Sequence, residues 1–213
     1  MKKKKITKNI LAHITLTILA VIWVMPLIWI ILTSFRAQKG AYTSSFFPKA
    51  YTLDNYTKLF TDTGILNFPR MFENTLIVAV FSCIISTFFV LSVAYCMSRL
   101  RFRMRKAMMN VATKWQVFTR ITIPLSKPII VYTVLTSFIA PWVDFIFARV
   151  ICRANANYYT VAIGLWQMLE KEYVDVWYTR FAAGAVLISI PIAALFMIMQ
   201  RCYNDSMSGA VKG

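Results

Sequence analysis

Four long stretches without a lysine, an arginine or a glutamate set the fold. They are Ile10–Leu32, Leu76–Met97, Ile129–Ala148 and Phe181–Met199, and the one acid inside them is Asp144. At 1.5 Å of rise per residue each covers about 30 Å as a helix, the depth of a bilayer's hydrocarbon core. Lipid supplies no hydrogen-bond partners, so each stretch must satisfy its own backbone as a helix. The expected fold class is therefore all-α and integral to a membrane. Composition agrees, since 59% of the 213 residues are apolar against about 45–50% in soluble domains. A cleaved signal peptide does not fit the first stretch. Its apolar core is too long, and Ser34-Phe35-Arg36 offers no small-residue cleavage site.

The net charge of +16 would suit nucleic acid if it formed one patch. Instead the basic residues flank the apolar stretches, as topology signals do, so nucleic acid is not an expected partner. Lys2 to Lys5 and Lys8 precede the first stretch, and Arg99, Arg101, Arg103, Arg105 and Lys106 follow the second. The latter series suits stop-transfer and contact with lipid phosphates. With the amino terminus inside, the inner segments hold 15 of the 24 basic residues and one acid, Asp205. The outer loops hold Asp54, Asp62, Glu73, Glu170, Glu172 and Asp175. This bias places both termini in the cytoplasm.

Chemistry is sparse. Cys83, Cys96, Cys152 and Cys202 have no metal-ligand spacing, so no metal site is expected. His13 is the sole histidine and lies in the first stretch, where packing suits it better than catalysis. No G-x-x-x-x-G-K-[ST] loop exists to cradle phosphate, and no Ser–His–acid set is available. The chain reads as no enzyme, with no catalytic residues. Asp144 lies four residues from the end of its stretch, about 6 Å along a helix, so it reaches the interface and suits a structural role there.

The segments divide the chain as follows. Residues 1–9 form a cytoplasmic head, 10–32 the first transmembrane helix and 33–75 an outward, aromatic loop lying against the membrane. Residues 76–200 form the transmembrane domain, with a cytoplasmic loop at 107–128, and 201–213 form a tail. The loop's stretch Trp115 to Pro128 is expected to be a short helix, then an abrupt turn, then a span. Trp115, Phe118 and Ile121 recur at a spacing of three, Thr122 and Leu125 extend that face, and Pro124 is expected to end the helix near Ile123. The outward loop at 149–180 is polar with an apolar middle, Tyr159 to Trp166. Ala182, Ala183, Gly184 and Ala185 offer a small-residue packing face in the last span.

These residues resemble the permease family of bacterial ABC importers, in its carbohydrate class and most of all its maltose/maltodextrin type. Ile121-Thr122-Ile123-Pro124-Leu125 is similar to the end of the family's EAA loop. Ser137 to Phe145, Tyr159 to Leu165, Arg180 to Ala185 and the ending Gly209-Ala210-Val211-Lys212-Gly213 resemble further family segments. The family has six spans and this chain has four. It passes from Met108-Met109-Asn110 straight to Val111-Ala112-Thr113-Lys114-Trp115, where the family carries two more spans and the Glu-Ala-Ala of the loop. An internal deletion of an even number of spans accounts for this and preserves the sidedness of the rest.

The resemblance implies a type I importer permease in a bacterial cell membrane. It implies four kinds of partner: an ABC ATPase dimer, a second permease subunit, an extracytoplasmic sugar-binding protein and membrane lipid. ATP would sit at the ATPase, and this chain would bind no cofactor. The coupling contact would fall on Trp115, Gln116, Phe118, Ile121, Pro124 and Leu125. A tail contact with the ATPase would fall on Gly209, Ala210, Val211 and Lys212. The loop at 149–180 would dock the sugar-binding protein. Substrate-binding residues are not assigned, because in this class the sugar falls mainly to the partner permease. The alternatives are a nonfunctional or dominant-negative deletion remnant, or a membrane-anchored adaptor.

Overall fold

A computed structural model describes residues 2–41, 45–64, 66–99, 118–153, 155–170 and 172–210. Within these, only the backbone is described for 2–9, 97–99, 121, 122, 125 and 201–210. The elements are α1 (Lys2–Ser34), α2 (Asp54–Thr61), α3 (Phe68–Arg99), a π-helical turn (Phe118–Thr122), α4 (Ile123–Val143), α5 (Ile146–Cys152), a 3-10 turn (Ala156–Tyr158), α6 (Val161–Met168) and α7 (Val174–Ala210). Among the described residues the sole β feature is an isolated bridge between Arg36 and Tyr51. Among the described residues four helical segments are long and apolar enough to cross a membrane: Ile10–Ser34, Phe68–Cys96, Ser126–Val143 and Val174–Gln200.

The chain divides into two compact units, 1–67 with 165–187, and 68–164 with 188–213. In the first unit the Ile10–Ser34 part of α1 is apolar round its circumference, as suits a helix in lipid. Its threonines are accommodated by bonding back to the helix: Thr15 Oγ1 donates to the Leu11 carbonyl at 2.9 Å and Thr17 Oγ1 to that of His13 at 2.8 Å. The end of α1 is closed by side chains from α2. Asn55 Nδ2 donates to the carbonyls of Ser34 at 2.9 Å and Arg36 at 2.8 Å, and the Tyr56 hydroxyl donates to Ser34 Oγ at 2.8 Å. These bonds satisfy carbonyls that a helix end leaves without partners.

Arg36 is 3% exposed. Its guanidinium donates to the carbonyls of Gln38, at 3.1 Å, and Gly40, and lies 6.0 Å from the ring centre of Tyr178. Gly40 takes a φ of 104°, a region open to glycine but costly for other residues, and this lets the chain curl round the cation. Burial pulls the Arg36 guanidinium below its ordinary range, and the Tyr178 hydroxyl opposes that shift. The start of α7 adds Arg180, which pairs with Asp62 at 2.7 Å and stacks over Trp177 at 4.5 Å.

In the second unit α3 packs along α4. Phe68, Met71, Thr75 and Ala79 recur at spacings of three and four and are buried on one stripe of α3. Phe72 meets Trp142 of α4 edge-on at 5.2 Å, and Phe138 lies 6.0 Å from the same indole. Asn74 Nδ2 donates to the carbonyls of Asn157 at 2.8 Å and Tyr159 at 3.2 Å. Tyr159, Val161 and Ile163 are buried there as well.

Several boundaries depart from the sequence reading. Helix α3 begins at Phe68, within the segment read as loop, because its first two turns are polar on one side and buried on the other. Helix α4 stops at Val143 rather than running to Ala148. Pro141 removes a backbone donor in its last turn, and Asp144 Oδ1 then accepts from the N–H of Phe147 at 3.2 Å, which starts α5 afresh. Pro124 does not end a helix before an abrupt turn. It stands in the first turn of α4, directly after the π-helical turn, where a missing N–H is tolerated and the wider winding relieves the ring. The apolar middle of the loop at 149–180 is helix α6. The last helix begins at Val174 and runs through most of the expected tail.

Candidate functional site

The expected coupling stretch lies partly outside the described residues, since Trp115 and Gln116 fall there. Phe118 opens the π-helical turn and meets Tyr95 of α3 edge-on at 5.1 Å. One face of this ring is therefore already used within the chain, and the ring is half-buried. Ile121 lies in the π-helical turn and Leu125 in α4, and their side chains are outside the description. Pro124 is exposed. The element is thus a stiff extension of α4, braced on α3 by a ring contact of the geometry aromatic pairs prefer. Of the tail residues, Gly209 and Ala210 belong to the backbone of the last turn of α7, and Val211 and Lys212 lie outside the described residues.

A second feature was not expected. A groove of about 700 Å³ runs between α3, α4 and α5. Asn74, Val78, Ser82 and Ser86 line it from α3 at a spacing of four, one face of a helix. Ser137 and Pro141 line it from α4, and Asp144 from the break after α4. Phe147, Ile151 and Cys152 close it from α5, with Tyr158 and Thr160 beyond. Among the described residues Ser82, Ser86 and Ser137 have no hydrogen-bond partner, whereas Ser92 of α3 and Thr136 of α4 bond back to the carbonyls of Phe88 and Tyr132. The spacing of Asn74, Ser82 and Ser86 is visible in the sequence, but its convergence with Asp144 requires the packing of α3 on α4. Burial pushes the Cys152 thiol above its ordinary range, and its Sγ donates to the Tyr158 carbonyl at 3.1 Å. Among the described residues no cluster of His, Cys, Asp and Glu could hold a metal.

No protein-family model matches the chain. The galactooligosaccharides transport system permease protein GanQ of Bacillus subtilis is 25% identical over an alignment of 281 residues, covering 100% of this chain and 99% of the relative. The maltodextrin transport system permease protein MdxG of the same organism is 22% identical, covering 98% of each. The maltose/maltodextrin transport system permease protein MalG of Escherichia coli is 36% identical over 108 residues, which is 50% of this chain and 36% of that protein. The crystal structure of a bacterial ABC transporter involved in the import of the acidic polysaccharide alginate superposes with a TM-score of 0.67. That match covers 92% of this chain and 96% of the other at 18% identity. Its fold is that of an ABC importer permease. Its described residues hold four apolar segments long enough to span a membrane, and its relatives by sequence are sugar-transport permeases rather than enzymes. The 281-residue alignment exceeds the chain's 213 residues by room enough for two spans of about 20 residues with their loops. The match to MalG covers only half the chain, whereas GanQ and the maltodextrin permease MdxG match it from end to end.

Proposed function

We propose that the chain is a permease subunit of an ABC importer for an oligosaccharide such as a maltodextrin or galactooligosaccharide. The end-to-end relationship to two oligosaccharide permeases carries this reading. The chain lies in a bacterial cell membrane with both termini in the cytoplasm, as its basic residues favour. A partner ATPase dimer binds and hydrolyses ATP, and this subunit holds no cofactor. A second permease subunit completes the pathway, and an extracytoplasmic binding protein delivers the sugar to the loop at 149–180.

In this reading the segment ending at Pro124 and Leu125 couples the ATPase to the spans. Its continuity with α4 supports the role, since a displacement at Phe118 has no hinge in which to dissipate before the bilayer. Trp115, Gln116, Phe118 and Ile121 supply the docking surface, and Gly209 to Lys212 supply a second contact. The full-length relationship lends no support to a deletion remnant or a membrane adaptor.

Affinity purification of the tagged chain from native membranes tests the assembly. An ABC ATPase is expected to co-purify. Trp115→Ala with Phe118→Ala is expected to reduce its recovery about thirtyfold, as loss of a dominant anchor does. Recovery unchanged in that variant but abolished by deleting Ser208–Gly213 would move the contact to the tail.

A further inference from the structure

We infer that the groove between α3, α4 and α5 is a solute-contact site of this subunit and takes a neutral, polyhydroxylated ligand; this rests on the importer reading above. Its volume of about 700 Å³ lies in the range of small-molecule sites. Its walls combine apolar surface with a few convergent polar groups, as such sites do.

The hydroxyls of Ser82, Ser86 and Ser137 carry the argument. In a membrane helix a serine without an external partner ordinarily bonds back to the preceding turn, as Ser92 does here. Three on one groove that do not are free to bond a partner from outside the chain, whereas Thr87 of α3, whose buried hydroxyl also lacks a partner, does not line the groove. Asp144 adds a carboxylate with one oxygen engaged by the Phe147 N–H and the other able to accept from a hydroxyl. An ionised group beside apolar spans is costly unless it faces water or a polar ligand. Phe147 and Tyr158 supply ring faces on which a pyranose can stack. No Lys or Arg lines the groove, so it offers nothing to offset a ligand carboxylate. The ligand class is therefore a neutral saccharide and not an acidic one.

The test uses the assembled transporter in nanodiscs, with the native cysteines replaced by serine and Ser137→Cys as reporter. Maltotriose and galactotriose are the neutral probes and an oligouronate trimer is the acidic one. At least one neutral trisaccharide is expected to slow maleimide labelling several-fold, with the uronate inert and a reporter at Phe89 unaffected. Asp144→Asn is expected to raise the KM for uptake about tenfold, the loss of one charge-assisted hydrogen bond. Labelling that is equal with and without every neutral probe overturns the inference. So does labelling blocked in the absence of sugar, which assigns the groove to a protein helix. Protection without uptake overturns the importer reading and leaves the site standing, while uptake without protection does the reverse.

Discussion

Thr75 of α3 accepts a hydrogen bond from the backbone N–H of Val161 at 2.9 Å, across 86 residues of sequence. Thr75 is fully buried, and its own hydroxyl donates to the Met71 carbonyl at 2.8 Å. Val161 is the first residue of α6, so its N–H is one of the donors that a helix start leaves unpaired. Thr75→Val keeps the shape and removes the acceptor. It is expected to destabilise the chain by about 1–3 kcal/mol, the cost of a stranded buried donor. Thermal unfolding in detergent measures this, and Thr75→Ser is expected to recover most of the loss.

Gly164 stands against Met71 in the same unit. A Cβ at Gly164 would lie 2.5 Å from Met71 Sδ, and Met71 is only 2% exposed, so the thioether has little room to move. Gly164→Ala is expected to cost about 1–3 kcal/mol through overpacking. Combined with Met71→Val it is expected to cost less than the sum of the two single changes, because neighbours that share one space couple. Strictly additive unfolding shifts would disprove the contact.

The two polar clusters of the other unit differ in depth and are expected to differ in consequence. Asn55 is buried and bonds two carbonyls beyond α1. Asn55→Ala is expected to cost about 2 kcal/mol. Asp62 is half-exposed, and its pair with Arg180 faces solvent on one side. Asp62→Asn is expected to cost under about 1 kcal/mol, and less in high salt. Unfolding at low and high ionic strength separates the two.

Cys152 provides a check on burial at the groove. Its thiol is pushed above the ordinary range by desolvation, so the reactive thiolate forms at higher pH in the folded chain than in the unfolded one. Alkylation of a variant retaining Cys152 alone is expected to lag behind the denatured chain at pH 8 and to approach it as the pH rises. Equal rates at pH 8 would contradict the burial.

The spans were legible because lipid leaves a backbone one solution, and uncharged stretches of that length announce it. Their ends were not. Helix α3 starts at Phe68 and α7 at Val174 because polar residues continue a helix past the apolar stretch when one face is buried by tertiary contact. Pro124 misled for a physical reason: a proline opens a helix as readily as it closes one, and the preceding π-helical turn decides which. The coupling stretch was found by its family resemblance and its aromatic spacing, and its Trp115 and Gln116 lie outside the described residues. The groove was hidden, since Ser82, Ser86 and Ser137 look like ordinary small residues of a span until α3 and α4 are placed side by side.

Sugar uptake measures most directly whether this chain works as the permease subunit of a sugar importer. The gene is deleted in its native host, and ATP-dependent entry of radiolabelled maltotriose and galactotriose is followed with and without the chain restored. The account predicts that entry of at least one of the two is lost on deletion, returns with the chain, and stops when the co-purifying ATPase is inactivated. Entry of both sugars at the parental rate in the deletion strain would contradict it.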